Sequence, residues 1–359
     1  MAENTEKSER KAVFLDTEVF NHLNHDYTHR DLCTLNSLVE DGQVRVVLTT
    51  ITRSEVLAHI NQGLEKAIHD IKKAVGRHRI LRNFASILDF AYLDSDEVLK
   101  KMQKEGAKAF AAFCRDCQAT FLDTVTVNPE DVFQDYFNNH PPFGPDRKKP
   151  EFPDAFVAGA LRKWCEKEDQ GLYAISADAD WKAICEGDKR LICLPSLAAF
   201  LELFPDAALV AGLKAGLRSR WEEVDRQIGE VFVDLSFYLE ETEGVVERVE
   251  VIETNAASLF VVEAQKGDVV FEVECEVAFE ASVRYEVPGS CSHYGDARDM
   301  YPDEDTGRVK NRATVTAEIK ASYDESQPEI LDELWVSLYD SKKEIGVSIK
   351  RLLYWDDGK

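Results

Sequence analysis

The acidic residues best placed to do chemistry in this chain stand at strand ends and helix starts. Asp16 ends the apolar run in KAVFLDTEVF, and Glu55 lies at the start of a helix after a second apolar run. Asp154 begins a later helix, and Asp178 and Asp180 follow a third apolar run. In an α/β protein, ligands bind at the edge of the sheet formed by the carboxyl ends of parallel strands. The pattern therefore predicts a divalent metal site.

Mg²⁺ or Mn²⁺ is the ion that such a site predicts, because both prefer hard oxygen ligands. Ions held by several carboxylates stabilise the charge of a phosphodiester transition state and generate hydroxide from bound water. The predicted catalytic ligands are Asp16, Glu55, Asp154 and Asp178. Asp180 is either a further metal ligand or the cap of a helix that begins near Trp181.

The elements that must position these acids alternate along the first 200 residues. Strand-like apolar runs lie at 13–15, 44–48, 172–176 and 191–194, with helical stretches between them. This alternation predicts an α/β fold with a mostly parallel central sheet and flanking helices. A long helical insert is expected at about residues 51–139. Five prolines and a glycine in HPPFGPDRKKPEFPD predict a loop that leads into Asp154.

The pattern changes in the second half of the chain. Residues 206–232 are expected to form a linker helix between a first domain at 1–205 and a second domain at 233–359. In the run EVECEVAFE, glutamates alternate with apolar residues, which is typical of a half-buried antiparallel strand. The second domain is therefore expected to be β-rich, either a sandwich or an open barrel.

The charge of the chain is uneven. The net charge is −24, and residues 206–359 carry 34 acids and 17 bases. This half is therefore not expected to bind a nucleic-acid backbone, whose affinity for proteins comes mostly from Lys and Arg. A basic protein partner or a second copy of the chain suits it better. No apolar run reaches the ~20 residues that span a bilayer, and the polar N-terminus lacks a signal-peptide pattern, so a cytoplasmic protein without membrane contact is expected.

Across about residues 11–205 the chain resembles the PIN-domain nuclease superfamily, in particular its larger bacterial branch with a helical insert. The motifs that carry the resemblance are VFLDTEVF, VVLTTITRSEVL, FPDAFVAGAL and LYAISADADW. The resemblance implies a metal-dependent endoribonuclease that acts on RNA more than on single-stranded DNA. It also implies that Thr17 and Ser176 support the metal ligands. Glu18 departs from the family, which commonly has Asn or Ser at this position.

PIN-like nucleases serve as toxins, RNA-processing enzymes or effectors of phage defence, and the resemblance alone suggests such roles here. Basic residues near the predicted ligands are the expected substrate contacts, namely Arg53, Arg147, Lys148 and Lys149.

Two other interpretations stay open. Haloacid-dehalogenase-like phosphohydrolases also end a strand in a nucleophilic Asp, here Asp16, with a general acid two residues later, here Glu18. The catalytic Lys expected before a late Asp motif is not evident. A non-catalytic PIN-like binding module, with the acidic second domain docking a basic partner, is the other alternative.

Overall fold

The computed structural model describes residues 10–77, 96–144, 151–293, 300–339 and 344–353. The chain divides into two compact units, Met1–Leu201 and Glu202–Lys359. The strands of the first unit are β1 (Lys11–Leu15), β2 (Val44–Thr49), β3 (Thr120–Leu122), β4 (Leu172–Ile175) and β5 (Leu191–Leu194). Its helices are α1 (Thr17–His22), α2 (Arg30–Glu40), α3 (Thr50–Arg77), α4 (Asp96–Asp116), α5 (Pro129–Asn138), α6 (Phe152–Glu168), α7 (Ala179–Glu186) and α8 (Leu197–Leu201).

The strands of the first unit form one parallel sheet in the order β3-β2-β1-β4-β5. Val13 in the central strand pairs with Val46 on one side and with Tyr173 on the other. Because helices cover both faces, β1 is an unbroken apolar run rather than an alternating one. The chain leaves β1 toward β2 and later returns to β4, so the crevice between β1 and β4 is the topological switch point where ligands bind in such folds.

The expected helical insert at 51–139 contains a strand. The three residues of β3 pair with the end of β2, with Phe121 opposite Leu48. A run as short as TFL carries too little periodicity to be recognised in the sequence, and it becomes a strand because β2 offers an open edge. Most of the remaining described insert is helical, with α3 packed against α4. Within the described residues, no helix combines the length and apolar character needed to cross a membrane.

The second unit is built on long antiparallel strands. Its elements are α9 (Ala207–Ser219), α10 (Trp221–Val233), β6 (Ser236–Leu239), β7 (Gly244–Gln265), β8 (Asp268–His293), β9 (Met300–Asp324), β10 (Gln327–Leu338), β11 (Glu344–Val347) and α11 (Lys350–Leu353). Four strands pair in the order β10-β9-β8-β7, and β6 pairs with β11. The alternation in β8 matches the sequence pattern, since Val273 and Cys275 are fully buried while Glu274 is exposed.

Residues 206–232 are not the single linker helix that the sequence suggests. The helix is interrupted at Arg220, which separates α9 from α10. The guanidinium of Arg220 binds the carboxylate of Glu223 and the carbonyl of Leu331. The helices on either side bury Leu217 and Ile228 in the same core as the long strands. These helices and the two-stranded β6–β11 sheet bury apolar residues in one core with the four-stranded sheet. The second unit is therefore β-rich, as the sequence predicts.

The outer strand β7 is irregular at regular intervals. Its pairing with β8 shifts by one residue near Glu247, Ile252, Ala257 and Val262, a spacing of five residues. Bulges of this kind bend an edge strand and disfavour its pairing with the edge of another molecule.

Gln227 of α10 completes the hydrogen bonding of strand β10. The pairing of β10 with β9 is irregular between Asp332 and Trp335. At this irregularity, the Gln227 amide donates to the carbonyl of Leu334 at 3.3 Å and accepts from the N–H of Val336, just beyond it, at 3.2 Å.

We expect Gln227→Ala to destabilise the second unit by about 1–3 kcal/mol, because it leaves half-buried backbone groups without partners. The control is Arg226→Ala, which removes only an exposed ion pair with Glu230. Scanning calorimetry of the full chain would measure both. Equal transition temperatures for the two variants would contradict this role.

Candidate metal centre

Asp16 lies directly at the switch point of the first sheet. Its N–H donates to the carbonyl of Ile175 at 3.1 Å, which continues the β1–β4 pairing by one residue. Its side chain caps α1, with Oδ1 accepting from the Thr17 N–H at 2.7 Å. The strand, the cap and the helix together fix this carboxylate in one orientation.

Ser176, directly after β4, joins two of the acidic segments. Its hydroxyl donates to Asp16 Oδ2 at 2.8 Å and accepts from the N–H of Asp178 at 3.2 Å. Its side chain is buried, and its N–H donates to the carbonyl of Leu194. Both oxygens of Asp16 therefore accept hydrogen bonds, one from Ser176 and one from Thr17.

Glu55 reaches the same place from α3. The helix begins after Thr49, whose buried hydroxyl accepts from the N–H of Thr52 at 3.0 Å in a capping arrangement. Glu55 thus lies in the second turn rather than at the first residue of the helix. Its Oε2 accepts from the hydroxyl of Thr17 at 2.9 Å. Thr17 consequently contacts Asp16 through its backbone and Glu55 through its side chain.

Asp154 lies in the first turn of α6, which an aromatic cluster holds in place. The ring of Phe152, the first residue of α6, packs against Phe143 at 4.9 Å and Tyr136 at 5.2 Å between centroids. The N-cap position is Glu151, whose side chain makes no capping bond. Negative charge in this turn is favourable for the helix dipole, although it faces other carboxylates here.

The alternative in which Asp180 caps the helix near Trp181 is wrong, because Asp178 holds that position. Asp178 is the cap of α7, because its Oδ1 accepts from the N–H of Asp180 at 2.9 Å. Asp180 therefore does not cap this helix and lies in its first turn. Trp181 beside it is buried and packs on Phe14 at 5.1 Å, so it belongs to the core.

Burial and mutual repulsion perturb two of these carboxylates. Burial raises the pKa of Asp16 to about 6, opposed by hydrogen bonds from Ser176 and Thr17 and reinforced by the charges of Glu18 and Glu55. The pKa of Asp154 rises to about 7, first through burial and then through the charges of Asp16, Glu55, Glu151 and Asp178. The carboxyl of Asp154 therefore experiences the charges of acids from all of the other acidic segments, those of Asp16, Glu55 and Asp178.

The donor set suits a hard divalent cation, because carboxylate oxygens are the ligands that Mg²⁺ and Mn²⁺ prefer. A cation would also offset the burial and the repulsion that together raise the pKa values of Asp16 and Asp154. In the described part of the chain, no three His, Cys, Asp or Glu side chains already form a metal-binding group. The charges of Asp16, Glu55 and Asp178 nevertheless act on Asp154.

The remaining predicted site residues fall into two groups. Glu18 is exposed in the first turn of α1, and its charge acts on Asp16. Arg53 is exposed in the first turn of α3, and its guanidinium lies over the ring of Phe121 at 5.7 Å. The loop candidates Arg147, Lys148 and Lys149 lie outside the described residues.

Sequence reasoning overlooked Glu151 and a second link between α1 and α3. Asn21 Nδ2 lies 2.7 Å from His59 Nδ1, one turn beyond the Thr17–Glu55 bond on both helices. The four-residue spacing of Glu55 and His59 was a signal for this link, since such residues share a helix face. Glu151 gave the weaker signal of an acid one helical turn before Asp154.

A family model described as PIN domain matches residues 13–181. These residues form a PIN domain. All of the acidic site residues lie within the matched segment. Neither a curated protein nor a solved structure matches the chain.

PIN domains are typically nucleases that use divalent metals and act on nucleic acid. The family therefore indicates a nuclease-type function for the first unit. It also gives the carboxylate cluster a recognised kind of chemistry without identifying the ion or the substrate.

In the absence of divalent metal, we expect rising pH to weaken the PIN domain. The pKa values of Asp16 and Asp154 in the folded chain exceed their ordinary value of 3.8. The folded state thus binds more protons, and this stabilisation is lost as pH rises through about 6 to 7. In chelator, the melting temperature should fall more for wild type than for Asp154→Asn between pH 5 and pH 8, and Mn²⁺ should restore it at pH 8.

Comparing the two proteins removes contributions that both share, including that of His25, whose pKa is lowered by burial and by His59. That group acts in the opposite direction, because its folded state favours the neutral form. Parallel pH curves for wild type and Asp154→Asn would contradict the assignment.

Thr17 offers a separate test of how the acids are held. Thr17→Val keeps the shape of the side chain but removes the donor to Glu55, and we expect about 10–100-fold weaker Mn²⁺ binding. Thr17→Ser retains the hydroxyl and should bind nearly as well as wild type. Calorimetric titration would measure both affinities, and equal affinities for the valine and serine variants would show that this bond does not position Glu55.

Proposed function

We propose that the PIN domain is a Mg²⁺- or Mn²⁺-dependent nuclease that hydrolyses phosphodiester bonds, most of all in RNA. The observation that supports it best is geometric: Thr17 and Ser176 link Asp16 to Glu55 and to Asp178 by hydrogen bonds. Burial, and then the charges of these acids, raise the pKa of Asp154 beside them. Such a cluster is costly to ionise without a cation. It lies at the switch point of the sheet, where α/β proteins bind ligands.

In this proposal, the ions are held by Asp16, Glu55, Asp154 and Asp178, with Asp180 in reach as a further ligand. A divalent ion bound there supplies positive charge to the phosphodiester transition state and activates water. Ser176 and Thr17 hold Asp16 in place by donating to its two oxygens. Their donation also favours its ionised form, which is the form that binds metal.

We further propose that positive side chains near the acids bind substrate phosphates. Arg53 is preorganised for this by its contact with Phe121. We also propose phosphate contacts by Arg147, Lys148 and Lys149, because they precede Asp154 by only a few residues in the sequence. The preference for RNA and a role as a toxin or in phage defence rest on the resemblance to PIN-like nucleases.

Replacing a ligand tests this function. We expect Asp16→Asn and Asp154→Asn to reduce Mn²⁺-dependent cleavage by on the order of 10²–10³-fold or more, since each removes a charge that holds the ion. The matched control is Glu166→Gln, an exposed acid on the same helix as Asp154. Labelled RNA and single-stranded DNA, assayed with Mn²⁺ and with chelator, would measure the activity.

Cleavage that survives in Asp16→Asn would contradict the proposal. Trapping of a phosphoryl group on Asp16 would favour the phosphohydrolase alternative instead. Nucleic-acid binding without cleavage by wild type would favour a non-catalytic binding module.

A further inference from the structure

The outer face of α3 carries a polar and basic stripe that begins at the metal centre. At ~100° per residue, a set of residues lies within about 40° of Glu55 around the helix axis. We call this set the α3 stripe, and its members are His59, Gln62, Lys66, His69 and Lys73. All of them are exposed.

The opposite face of α3 contains the buried side chains of the helix. Ile60 and Ile68 are buried there. Gly106 of α4 faces Ile60 so closely that an added Cβ would lie 2.7 Å from its Cγ2. The α3 stripe therefore faces away from α4, on the side where Glu55 meets α1.

His59 is the member of the stripe with a defined orientation. When the Asn21 amide N–H donates to Nδ1 of a neutral His59, the proton of the imidazole lies on Nε2. The residue is one helical turn, about 6 Å, along α3 from Glu55. His59 thus presents a donor beside the carboxylate cluster.

The charges of the stripe suit a polyanion. Lys66 and Lys73 lie about 16 and 27 Å along the helix from Glu55. Asp70 lies beside the α3 stripe, and its negative charge partly offsets the positive charge of the stripe there. Lysines and polar donors that follow one line are typical contacts of a nucleic-acid backbone, which supplies most of the affinity of such complexes.

The other basic group of this helical pair faces elsewhere. The lysines of α4 are Lys100, Lys101, Lys104 and Lys108, and helical geometry places them opposite Gly106. Two of them pair with acids of their own helix, Lys101 with Glu97 and Lys108 with Glu105. The α4 lysines are therefore not continuous with the metal centre.

We propose that the α3 stripe binds the phosphate backbone of the nucleic-acid strand that extends from the metal centre, with His59 as the first contact. This inference rests on the proposed nuclease function, because that function supplies the strand. At ~3.4 Å per nucleotide, the stripe spans about eight nucleotides. Affinity should consequently rise with substrate length up to about that number and then level off.

Two double variants of the full chain test the stripe. Binding of a labelled single-stranded RNA of about twelve nucleotides, longer than the stripe, is followed by anisotropy in chelator at several salt concentrations. Lys66→Gln with Lys73→Gln should weaken binding and lower the salt slope by about 1.4, or 0.7 for each phosphate that a lysine no longer neutralises. Lys100→Gln with Lys104→Gln makes the same charge change on the opposite face and should leave the slope near that of wild type. Equal slopes in the two double variants would overturn the proposal.

His59 is tested through the substrate as well as the protein. His59→Leu should weaken RNA binding, whereas His59→Gln should restore it, because the glutamine amide keeps a donor near the Nε2 position. His22→Ala is the control, since His22 is exposed on α1 outside the α3 stripe. RNAs carrying one neutral methylphosphonate at successive positions complete the test. One position should weaken wild type but not weaken His59→Leu further, and equal losses at every position in both proteins would overturn the contact.

The two proposals fail separately. Wild type that binds RNA through the α3 stripe but cleaves nothing would sink the nuclease assignment and leave the surface in place. Wild type that cleaves RNA, with both lysine double variants binding alike, would leave the nuclease in place and remove the surface.

Discussion

The repulsion among carboxylates at the carboxyl edge of the first sheet is the constraint on which the PIN domain depends. Four chain segments bring acids to one place, and Asp154 feels the charges of the others. Like charges gathered in a partly buried site oppose folding. Such an arrangement is maintained only because each acid is attached to an element that the core fixes independently.

The packing that opposes this repulsion lies directly beneath the acids. β1 is buried on both faces and sets the position of Asp16. The Phe152 aromatic cluster sets the start of α6, and Thr49 sets the start of α3. Ser176 and Thr17 then connect acids from different elements by hydrogen bonds. Stability is thereby concentrated in the elements, while the acids remain available to a cation.

Local sequence patterns predicted most of the strands and acidic site residues of the first unit. The apolar runs of β1, β2, β4 and β5 were recognisable in the sequence because parallel strands are buried on both faces, and an acid after such a run marks a strand end. β3 was not recognisable, because its three residues form a strand only by pairing with the open edge of β2. The link between Asn21 and His59 depends on how α1 packs on α3, which no single-helix pattern contains.

The second unit shows the limit of strand patterns. Alternation identified β8, since each second residue is buried. It could not show what covers the buried face, because helices and a second sheet both present apolar side chains. The break at Arg220 also depends on a contact with Leu331, more than one hundred residues away. Long-range contacts of this kind determine that residues 206–232 form a helical layer on the sheet rather than a single linker helix.

The most direct test of the metal centre is Mn²⁺ binding by calorimetry in buffers of different ionisation enthalpy. If the carboxylate cluster holds the ion, binding near pH 6 should release protons, since Asp154 is mostly protonated there and Asp16 about half protonated. The release should vanish by pH 8, and Asp154→Asn should release fewer protons at pH 6. Mn²⁺ binding without proton release at either pH, or no binding at all, would contradict the account.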